Sequence, residues 1–486
     1  MRTAHTADQV RAAEAPLLEA LPEGALMARA AGGLAARCAS LLGRVYGARV
    51  VLLVGAGNNG GDALHAGAAL ARRGARVDAV LLGASAHEAG LAALRRAGGR
   101  PCSAADAAGV LAGADLVVDG ILGIGGRGGL RPEAAAVVAA VPQTAIVVAV
   151  DVPSGVDATT GEVPGEAVRA DVTVTFGSLK AGLLVAPGAD HAGIVDVVDI
   201  GLRPGPAALE ALQAEDVAQR WPWPQEQGDK YARGVLGVHA GSSAYPGAGV
   251  LCLAGALGAG CGYVRVAATS GAAVAVRMAH PEAIVVHVEP EHPAHGVGRV
   301  QAWATGPGLG TGRAEQAGVR ALLAEGLPTV LDADALVVLA ADPGLLRGRE
   351  GGPGAVLLTP HAGELARLLG VGREEVEQRR LEHARAAAER FEATVLLKGS
   401  TTLVAAPGEV PVRVNTTGTA WLGTAGSGDV LTGVAGSLLA AGRDARDAGS
   451  VAAWVHGLAA RLASAGGPLT ASRLAEALPR AVASLG

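Results

Sequence analysis

Lysine and asparagine are nearly absent from this chain of 486 residues. Of its 40 basic residues only three are lysine, namely Lys180, Lys230 and Lys398. Asparagine is equally rare and occurs as Asn58, Asn59 and Asn415. A lysine ammonium is a compact charge on a flexible stem, whereas the arginine guanidinium is a planar fork. The three lysines are therefore either kept where arginine would fail or retained by chance.

Cysteine is also scarce, and its spacing excludes common metal and redox motifs. The four cysteines contain no C-x-x-C pair, which argues against a zinc ribbon and a thioredoxin-type centre. Unpaired structural thiols are typical of a reducing compartment. The formal net charge of -5 gives no basic surface for nucleic acid. These features predict a cytoplasmic protein without a nucleic-acid partner.

The sequence lacks a hydrophobic run long enough to span a membrane. Its most apolar stretch, residues 247–262, is rich in glycine and is shorter than a spanning helix, so we expect a buried helix there. The N-terminal residues include Asp8 and Glu14 and contain no apolar core of a signal peptide. We therefore expect no membrane partner.

The chain is long enough for two large domains, and half of its residues are hydrophobic,. The alternation of apolar and polar segments stops in a stretch that contains prolines at 204, 206, 222 and 224. Such composition is typical of a domain boundary. The boundary is predicted between about residues 203 and 225, with domains at residues 1–212 and 222–486.

In the first half, three predicted strands end in polar or glycine-rich loops. An apolar run at 49–54 is followed by the loop 55–62 and then by a helix, which is the opening of a doubly wound α/β fold,. Asp119 and the segment 151–157 follow two further strands. Such loops meet at one edge of a parallel sheet. Their oxygen ligands suit a hard cation rather than zinc; alternatively, the asparagines only stabilise a tight turn.

In the second half, predicted strands again end in polar segments, and a glycine-rich turn at 418–429 leads into an apolar helix. Free N–H groups at a helix N-terminus bind anions such as phosphate. Asp429 lies in the first turn of this helix. It is either a base that accepts a hydroxyl proton during phosphoryl transfer or an ordinary first-turn acid. His361 likewise either contacts a ligand or caps the next helix together with Glu364.

Three motifs of the second half, TPHAGE at 359–364, KGSTT at 398–402 and GTAGSGDVLTG at 423–433, resemble the ADP/ATP-dependent NAD(P)H-hydrate dehydratases of the ribokinase-like superfamily. The first-half segments NNGGD and DVPSG resemble NAD(P)H-hydrate epimerases. The whole chain is thus similar to bifunctional NAD(P)H-hydrate repair enzymes. The resemblance implies an α/β chain with two three-layer αβα domains, an N-terminal Rossmann-like domain and a C-terminal ribokinase-like domain.

The implied activity is the repair of hydrated NADH and NADPH. The N-terminal domain would epimerise the R and S hydrates. The C-terminal domain would dehydrate the S hydrate to NAD(P)H at the expense of ADP, giving AMP and phosphate. Resemblance to fused bacterial-type enzymes favours ADP over ATP, and Mg²⁺ is expected with the nucleotide. The alanine- and glycine-rich composition is compatible with a homo-oligomer.

For the N-terminal domain the resemblance implies a K⁺ site at Asn59, Asp119 and Ser154 and an acid–base role for Asp151. Ala63, where the family usually has glycine, and the extra glycines of the loop 123–129 depart from the family pattern. The substrate contacts that the resemblance implies are Asn58, Asn59, Gly60, Gly61, Asp62, Gly123, Ile124, Gly125, Gly126, Arg127, Gly128, Gly129 and Asp151.

For the C-terminal domain the resemblance implies that Asp429 is the catalytic base. Asp229-Lys230 replaces the usual His-Lys pair, and Ala425 is atypical within the glycine-rich loop. The implied contacts with the hydrate are Ala248, Gly308, His361 and Asp429. The implied contacts with the nucleotide are Lys398, Gly399, Ser400, Thr401, Thr402 and Gly428.

Two other functions are compatible with a chain of this fold class. A vitamin or sugar kinase of the ribokinase superfamily would release its phosphorylated product, and fold analogy alone does not distinguish it; the TPHAGE segment stands where a sugar-binding pattern would be expected. A binding protein with an inactive N-terminal scaffold for RNA or nucleotides is the other alternative. The negative net charge and the complete set of polar residues in the first half argue against it.

Overall fold

The computed structural model describes residues 1–83, 85–226, 231, 233–348 and 355–486. Lys230 and Asp229 lie outside the described residues. The chain divides into two compact units, one of residues Thr3–Leu209 and one of residues Glu210–Gly486 together with Met1–Arg2. We call them the N-terminal unit and the C-terminal unit.

The N-terminal unit is built on a parallel sheet with the strand order β4-β3-β2-β5-β6-β7-β9, and β1 pairs in parallel with β8. Its strands are β1 (Arg2–His5), β2 (Arg49–Val54), β3 (Arg76–Leu81), β4 (Arg100–Ser103), β5 (Leu116–Gly120), β6 (Ile146–Val150), β7 (Val172–Phe176), β8 (Leu179–Lys180) and β9 (Ile194–Val198).

Helices cover both faces of this sheet. Its helices are α1 (Ala7–Ala20), α2 (Ala25–Leu42), α3 (Asn58–Arg72), α4 (Glu88–Arg96), α5 (Ala107–Leu111), α6 (Pro132–Ala139) and α7 (Ala189–Ala192). Along β2, Leu52 belongs to the core that α2 and α3 share, whereas Leu53 belongs to a second core with α5 and α6. Because successive side chains of a strand point to opposite faces, a continuous apolar strand fills both cores and gives three layers.

The strand–loop–helix segment at the start of the doubly wound sheet is confirmed, but two element bounds of this unit differ from the prediction. Asn58 already lies in the first turn of α3 and Asp119 lies within β5 rather than after it. Backbone hydrogen bonds to the neighbouring strands β2 and β6 extend β5 through this residue. Hydrophobic patterning does not reveal such an extension, because Asp119 is polar although it is fully buried.

The C-terminal unit is built on a second sheet in which β13-β12-β11-β14-β15-β16-β17 are parallel and β18 and β19 continue antiparallel. The strands from residue 209 on are β10 (Leu209–Ala211), β11 (Val235–His239), β12 (Tyr263–Ala268), β13 (Ile284–His287), β14 (Ala302–Thr305), β15 (Thr329–Leu331), β16 (Val356–Leu358), β17 (Thr394–Leu397), β18 (Thr402–Ala405) and β19 (Val412–Asn415).

Helix α16 is central to the packing of this unit. The helices are α8 (Ala214–Arg220), α9 (Pro246–Gly258), α10 (Ser270–Ala279), α11 (Arg313–Ala324), α12 (Asp334–Ala341), α13 (Ala362–Leu369), α14 (Arg373–Gln378), α15 (Arg380–Phe391), α16 (Ser427–Ala440), α17 (Ala445–Ser464) and α18 (Ala471–Ala483). A Cβ added to Gly255 of α9 would collide with the backbone of Val430, and one added to Gly433 of α16 would collide with that of Cys252. Glycines thus let α9 and α16 approach closely and bury the apolar run of α16.

Within the described part of the chain, α2 is the one helix long and apolar enough to cross a membrane by length and composition alone. Its buried side chains, which include Leu34 and Cys38, pack in the core of the N-terminal unit. One such helix is weak evidence for a membrane span, because core helices and N-terminal signal sequences pass the same test. The stretch 247–262, taken from the sequence as the most apolar, forms the shorter helix α9, so α2 and not this stretch is the longest apolar helix of the kind. The cysteines are free, and Cys38, Cys252 and Cys261 are buried.

Candidate active sites

A cavity of about 1840 Å³ opens in the N-terminal unit, where the loops after β2, β5 and β6 meet the helices α1 and α2. This volume exceeds that of a pocket for a drug-sized ligand. The cavity brings together most of the substrate contacts predicted in this unit. Those that line it are Asn58, Asn59, Asp62, Gly123, Ile124, Gly125, Gly126, Arg127, Gly129 and Asp151.

Gly60, Gly61 and Gly128 are not among the lining residues. A side chain at Gly60 would collide with the carbonyl of Gly55, and one at Gly61 would approach His87 and Met27. Gly128 has a φ of 74°, in the left-handed region that glycine adopts readily. The structure therefore gives these glycines a local packing or turn function, and contact with a ligand stays a prediction for them.

Asp151 follows β6 and has an unusual backbone conformation. Its φ is 67°, which is rare for a residue with a side chain and is concentrated at functional sites. Its carboxylate forms a buried salt bridge with Lys180. It also accepts hydrogen bonds from the hydroxyl of Thr175 at 3.0 Å and the backbone N–H of Phe176 at 3.2 Å. The surrounding structure thus fixes this carboxylate at the cavity wall.

Lys180 is 1% exposed and has two acceptors for its ammonium group. Besides Asp151 it donates to the backbone carbonyl of Phe176 at 2.8 Å. Removing one partner of a buried ion pair leaves an uncompensated charge. A compact ammonium fits this enclosed position better than a planar guanidinium, which gives a physical reason for one of the three lysines. The sequence did not indicate the partner, because it lies 29 positions away.

Two further carboxyl groups near Asp151, those of Asp62 and Glu14, have pKa values above their ordinary values. Burial raises the pKa of Asp62 to about 8, and the nearby charges of Asp151 and Glu14 act in the same direction, opposed by Lys180. Burial also raises the pKa of Glu14, with Asp151 contributing. Among the described residues that line the cavity, Asp151 therefore forms an ion pair with Lys180, whereas Asp62 and Glu14 form no ion pair with it.

Asn59, Asp119 and Ser154, the predicted K⁺ ligands, come together around the backbone of Leu122. Asp119 accepts hydrogen bonds from the Ser154 hydroxyl at 2.6 Å and from its N–H at 2.8 Å. The Asn59 side-chain amide donates to the Leu122 carbonyl at 2.9 Å, and the Leu122 N–H donates to Ser154 Oγ at 2.8 Å. Burial raises the pKa of Asp119 to about 6, and its hydrogen bonds with Ser154 oppose the shift.

This donor set has the chemistry of an alkali-ion site. It provides oxygen atoms and a single full negative charge, whereas Mg²⁺ requires more charge or several waters. Among the described residues, no group of three or more His, Cys, Asp or Glu side chains could hold a metal ion, so a zinc or iron centre has no ligand set in this part of the chain.

In the C-terminal unit, Lys398 at the end of β17 forms a salt bridge with Asp332 at the end of β15, with 2.8 Å between Nζ and Oδ1. The other carboxylate oxygen of Asp332 accepts a hydrogen bond from the Thr432 hydroxyl on α16 at 2.7 Å. Burial alone would lower the pKa of Lys398, but Asp332 and Glu364 raise it above its ordinary value. Asp332 therefore connects Lys398 to α16 through one ion pair and one hydrogen bond.

The N-terminus of α16 has no side-chain cap. Its N-cap residue is Gly426, which has a φ of 84°. A Cβ added to Gly428 would lie 3.4 Å from Lys398 Nζ, so the ammonium stands beside the first turn. An uncapped helix N-terminus next to a cation is suited to a phosphate group.

Asp429 lies in the same first turn as Gly428, and its environment favours the neutral form. Burial raises its pKa to about 7, and Asp332 adds to the shift while Lys398 opposes it. A carboxyl group with a pKa near neutrality is suited to accept a proton from a hydroxyl group. The position of Asp429 beside the uncapped turn is therefore compatible with the predicted base.

Gly308 and Ala248, both predicted contacts for the hydrate, lie next to each other. A Cβ added to Gly308 would lie 2.7 Å from the Cβ of Ala248, and Gly308 has a φ of 62°. The N–H of Gly310 donates to Asp334 at 2.8 Å, which fixes the loop 306–310 against the N-terminus of α12. Small residues thus leave the backbone of this loop accessible to a ligand.

His361 caps α13. Its ring Nδ1 accepts hydrogen bonds from the backbone N–H groups of Gly363 and Glu364 at 3.0 and 3.2 Å. The backbone N–H of His361 donates to the Glu364 carboxylate at 2.7 Å. The capping function considered from the sequence is therefore present. Contact with a ligand stays a prediction for this exposed side chain, whose Nε2 lies 3.5 Å from Glu364.

Arg380 of α15 forms hydrogen bonds with the backbone of the predicted nucleotide-binding segment 398–402. The guanidinium group donates to the backbone carbonyls of Lys398 at 3.0 Å and Thr401 at 3.1 Å. A Cβ added to Gly399 would collide with this group. The sequence indicates no function for Arg380, Asp332 or Thr432, because their importance depends on contacts between distant segments.

Comparison with known proteins gives two family matches that cover separate parts of the chain. Residues 236–480 match the family described as NAD(P)H-hydrate dehydratase. Residues 23–182 match the family described as YjeF-related protein N-terminus.

Relatives with the same two-part organisation are similar over most of the chain. The bifunctional NAD(P)H-hydrate repair enzyme of Mycobacterium tuberculosis is 48% identical over 448 residues, which is 91% of this chain and 90% of that protein. The corresponding protein of Mycobacterium leprae is 46% identical over 496 residues, with 100% of both chains covered.

Solved structures resemble the C-terminal unit. An ADP/ATP-dependent NAD(P)H-hydrate dehydratase from Bacillus subtilis, co-crystallised with ATP and Mg²⁺, has a TM-score of 0.52 and 29% identity, and it covers 57% of this chain and 99% of its own. A ribokinase-like superfamily protein from Enterococcus faecalis has a TM-score of 0.51 at 20% identity over 57% of this chain and 97% of its own, which shows the fold. With the relatives that match almost end to end, these findings show that the chain belongs to the family of bifunctional NAD(P)H-hydrate repair enzymes.

Proposed function

We propose that this chain repairs hydrated NADH and NADPH in two reactions, one in each unit. The observation that carries the proposal for the dehydration step is the arrangement of Asp429, Gly428 and Lys398 at the uncapped start of α16. The first turn of α16 provides a base and free backbone N–H groups, and Lys398 provides a cation beside it. Phosphoryl transfer requires these three components. We assign the reactions to residues 1–212 and 222–486.

In the N-terminal reaction, the two epimers of the hydrate interconvert at the hydroxyl-bearing ring carbon. Asp151 contacts the nicotinamide-derived ring and acts as an acid–base residue. Support for this assignment comes from its strained backbone, its fixed carboxylate and its place at the wall of the large cavity. The lining residues of the loops 58–62 and 123–129 bind the rest of the dinucleotide.

We propose K⁺ as the cation that Asn59, Asp119 and Ser154 hold. Their oxygen atoms and single carboxylate fit a weakly charged ion, and they meet around the loop 121–123. A bound cation would neutralise Asp119 and fix the loop that contacts the substrate. Its contribution would be structural positioning rather than proton transfer.

In the C-terminal reaction, a nucleotide phosphorylates the hydroxyl group of the S hydrate. Asp429 accepts the hydroxyl proton as the oxygen attacks phosphorus and the phosphoanhydride bond breaks. Lys398 and the N–H of Gly428 stabilise the charge on the transferred phosphoryl group. The ring C–O bond of the phosphorylated hydrate then breaks with its electron pair on the departing phosphate, a proton leaves the adjacent ring carbon, and the double bond of NAD(P)H is restored.

We propose that ADP with Mg²⁺ is the phosphoryl donor, so that AMP and phosphate are the products. The Bacillus subtilis relative, co-crystallised with ATP and Mg²⁺, supports a magnesium–nucleotide complex. Mg²⁺ would supply positive charge that offsets the negative charge of the transferred phosphoryl group in the transition state. The hydrate would lie against Ala248, Gly308 and His361, with the nucleotide on the segment 398–402.

The decisive experiment supplies purified protein with hydrated NADH and either ADP or ATP. Return of the absorbance of reduced nicotinamide, together with AMP from ADP, is expected. A kinase of the rival kind would accumulate a phosphorylated hydrate without restoring that absorbance. A non-catalytic binding protein would leave both epimers and the nucleotide unchanged.

We also propose a cytoplasmic homo-oligomer. The exposed side chains Val274 and Met278 of α10, with 57% and 82% exposure, offer an apolar surface of the kind that subunits cover. Light scattering of the purified protein is expected to give a mass above that of one chain, and a mass of 47.8 kDa would contradict the proposal.

A further inference from the structure

Asp62 has an environment that ligand binding alone does not explain. It lies in α3, after β2, and lines the large cavity. Its Oδ1 is inaccessible to solvent and, within the described part of the chain, has no hydrogen-bond partner. An unsatisfied buried carboxyl oxygen is costly in free energy and is concentrated at sites with a chemical function.

The position of Asp62 in the sheet complements that of Asp151. Asp62 lies in the helix that follows β2, and Asp151 follows β6. These two strands flank β5 on either side, and both acids line the same cavity. Lys180 forms its salt bridge with Asp151 and not with Asp62. The cavity thus combines a carboxylate that is paired with a cation and a carboxyl group that is not.

The charges around Asp62 favour its protonated form at neutral pH. Burial raises its pKa to about 8, Asp151 and Glu14 reinforce the shift, and Lys180 reduces it. The rings of His65 and His87 also line this cavity. Pairs of acids whose environments differ in this way are typical of sites where one donates and the other accepts a proton.

We propose that Asp62 is a second acid–base residue of the N-terminal site and donates a proton to the departing hydroxyl group. The proposal rests on the epimerase function proposed above. It adds to Asp151 a second carboxyl group that lines the same cavity.

The reaction follows from the chemistry of a hydrated dihydropyridine. Its hydroxyl group lies on the carbon bonded to the ring nitrogen, because the nitrogen lone pair stabilises the cation formed there. Asp62 protonates the hydroxyl, the C–O bond breaks with its electron pair on oxygen, and water leaves as the lone pair forms a C=N bond. The planar carbon is then open to attack on either face.

Water adds to the opposite face, the C=N electron pair returns to nitrogen, and the Asp151 carboxylate accepts a proton from the adding water. The other epimer results. Asp62 is then ionised and Asp151 protonated, which is the state that catalyses the reverse direction, and proton exchange with solvent restores the first state. The oxygen atom of the product therefore comes from solvent.

The test measures epimerisation by the full-length Asp62→Asn variant, without nucleotide so that dehydration does not consume the S hydrate. The kcat should fall about 10²–10⁴-fold, as for loss of a general acid, with KM little changed. The decline of the wild-type kcat above about pH 8, should disappear in the variant. Asp62→Glu should restore part of the rate, and isotopically labelled water should enter the wild-type product.

Glu133→Gln is the matched control, because Glu133 is an exposed carboxylate that lines the same cavity. It should leave kcat and its pH profile unchanged. An Asp62→Asn enzyme with a raised KM, an unchanged kcat and the wild-type alkaline decline would overturn the proposal and make Asp62 a binding residue only. Dehydration of pure S hydrate with nucleotide checks that each variant is folded.

A spectroscopic measurement separates this proposal from the epimerase assignment. The infrared difference spectrum between wild type and Asp62→Asn should contain a protonated-carboxyl carbonyl band at neutral pH that disappears above about pH 8,. A wild-type protein that shows this band but does not epimerise the hydrate would contradict the proposed function and also the catalytic step. If the active enzyme lacks this band, only the assignment of Asp62 as proton donor is overturned, and the epimerase function stands.

Discussion

Lys180 and Lys398 have the same structural function in different units. Each forms an ion pair with an aspartate that lies at the end of a parallel strand, Asp151 for Lys180 and Asp332 for Lys398. A lysine ammonium can occupy an enclosed position between a carboxylate and a backbone turn, whereas a guanidinium group needs a wider, planar space. The scarcity of lysine in the sequence was therefore an informative signal at these two positions.

The first prediction concerns the identity of the cation at position 398. Lys398→Arg keeps the charge but should lower dehydratase kcat/KM roughly ten- to a hundredfold, or about 1.4–2.7 kcal/mol. The planar group cannot reach both Asp332 and the first turn of α16 as Lys398 does. Steady-state kinetics with ADP measures the effect, and Arg367→Lys on the exposed surface of α13 is the control. Wild-type kinetics for Lys398→Arg would contradict the role of the ammonium.

The second prediction concerns Asp429 and pH. A base must be deprotonated, so dehydratase kcat/KM should decrease as the pH falls below about 7, the pKa that burial gives this carboxyl group,. Asp429→Asn should remove most of the activity. A rate that is independent of pH between about 5 and 8 in the wild type would contradict the assignment,.

The same raised pKa has a consequence for stability. A folded-state pKa above the ordinary value of 3.8 means that the fold disfavours the charged form. The native state is therefore relatively more stable at low pH and loses stability as the pH rises through about 7,. Asp429→Asn should raise the melting temperature at about pH 8, and the gain should vanish near pH 4,.

At the scale of elements, the features that the sequence predicted best are those that depend on local hydrophobic pattern. The strand β2 has the predicted bounds of 49–54, because a continuous apolar run is typical of a buried parallel strand. The predicted convergence of polar loops followed from the rule that parallel strands end at one edge. In the N-terminal unit that edge does contain the cavity.

Features that depend on distant contacts were not predictable. The short strands β1, β4 and β8 have no strong apolar pattern, and their strand conformation depends on pairing with a neighbour. The binding of Arg380 to the carbonyls of Lys398 and Thr401 joins α15 to a loop about 20 positions away, and no periodicity in the sequence indicates such a contact.

The third prediction concerns the cation site formed by the ends of β2, β5 and β6. If Asn59, Asp119 and Ser154 hold K⁺, replacing K⁺ by choline in rigorously K⁺- and Na⁺-free buffer should slow epimerisation, because the loop 121–123 loses its positioning ion. Dehydration of pure S hydrate in the same buffer is the control. An epimerisation rate unchanged by removal of both alkali ions would contradict the assignment.

The fourth prediction concerns the packing of α9 against α16. Gly255→Ala should destabilise the C-terminal unit by about 1–3 kcal/mol, as overpacking does, since its new methyl group would meet the backbone of Val430. Gly247→Ala in the same helix has open space around its Cβ and should be neutral or slightly stabilising. Denaturant unfolding of both variants measures the difference, and equal stability would contradict the close packing.

At the scale of the whole molecule, each compact unit contains its own parallel sheet and its own set of polar residues at strand ends. The residues that we assign to epimerisation, including Asp151 and Lys180, lie within Thr3–Leu209, and those assigned to dehydration, including Asp429 and Lys398, lie within Glu210–Gly486. From these assignments we expect each reaction to be confined to one unit.

The fifth prediction is that single carboxylates separate the two reactions. Asp429→Ala removes the base that activates the substrate hydroxyl, and the rate of dehydration should fall about 10²–10⁴-fold while epimerisation continues. Asp151→Ala should have the opposite effect, so that the S hydrate is consumed and the R hydrate accumulates. The measurement supplies a mixture of both epimers with ADP and follows each by chromatography.

In Asp151→Ala the buried Lys180 loses its carboxylate partner, so Asp151→Asn, which preserves the shape, serves as a second variant. If Asp429→Ala abolishes both reactions in a protein that still unfolds cooperatively, the two sites are not independent and the assignment of one reaction to each unit is wrong.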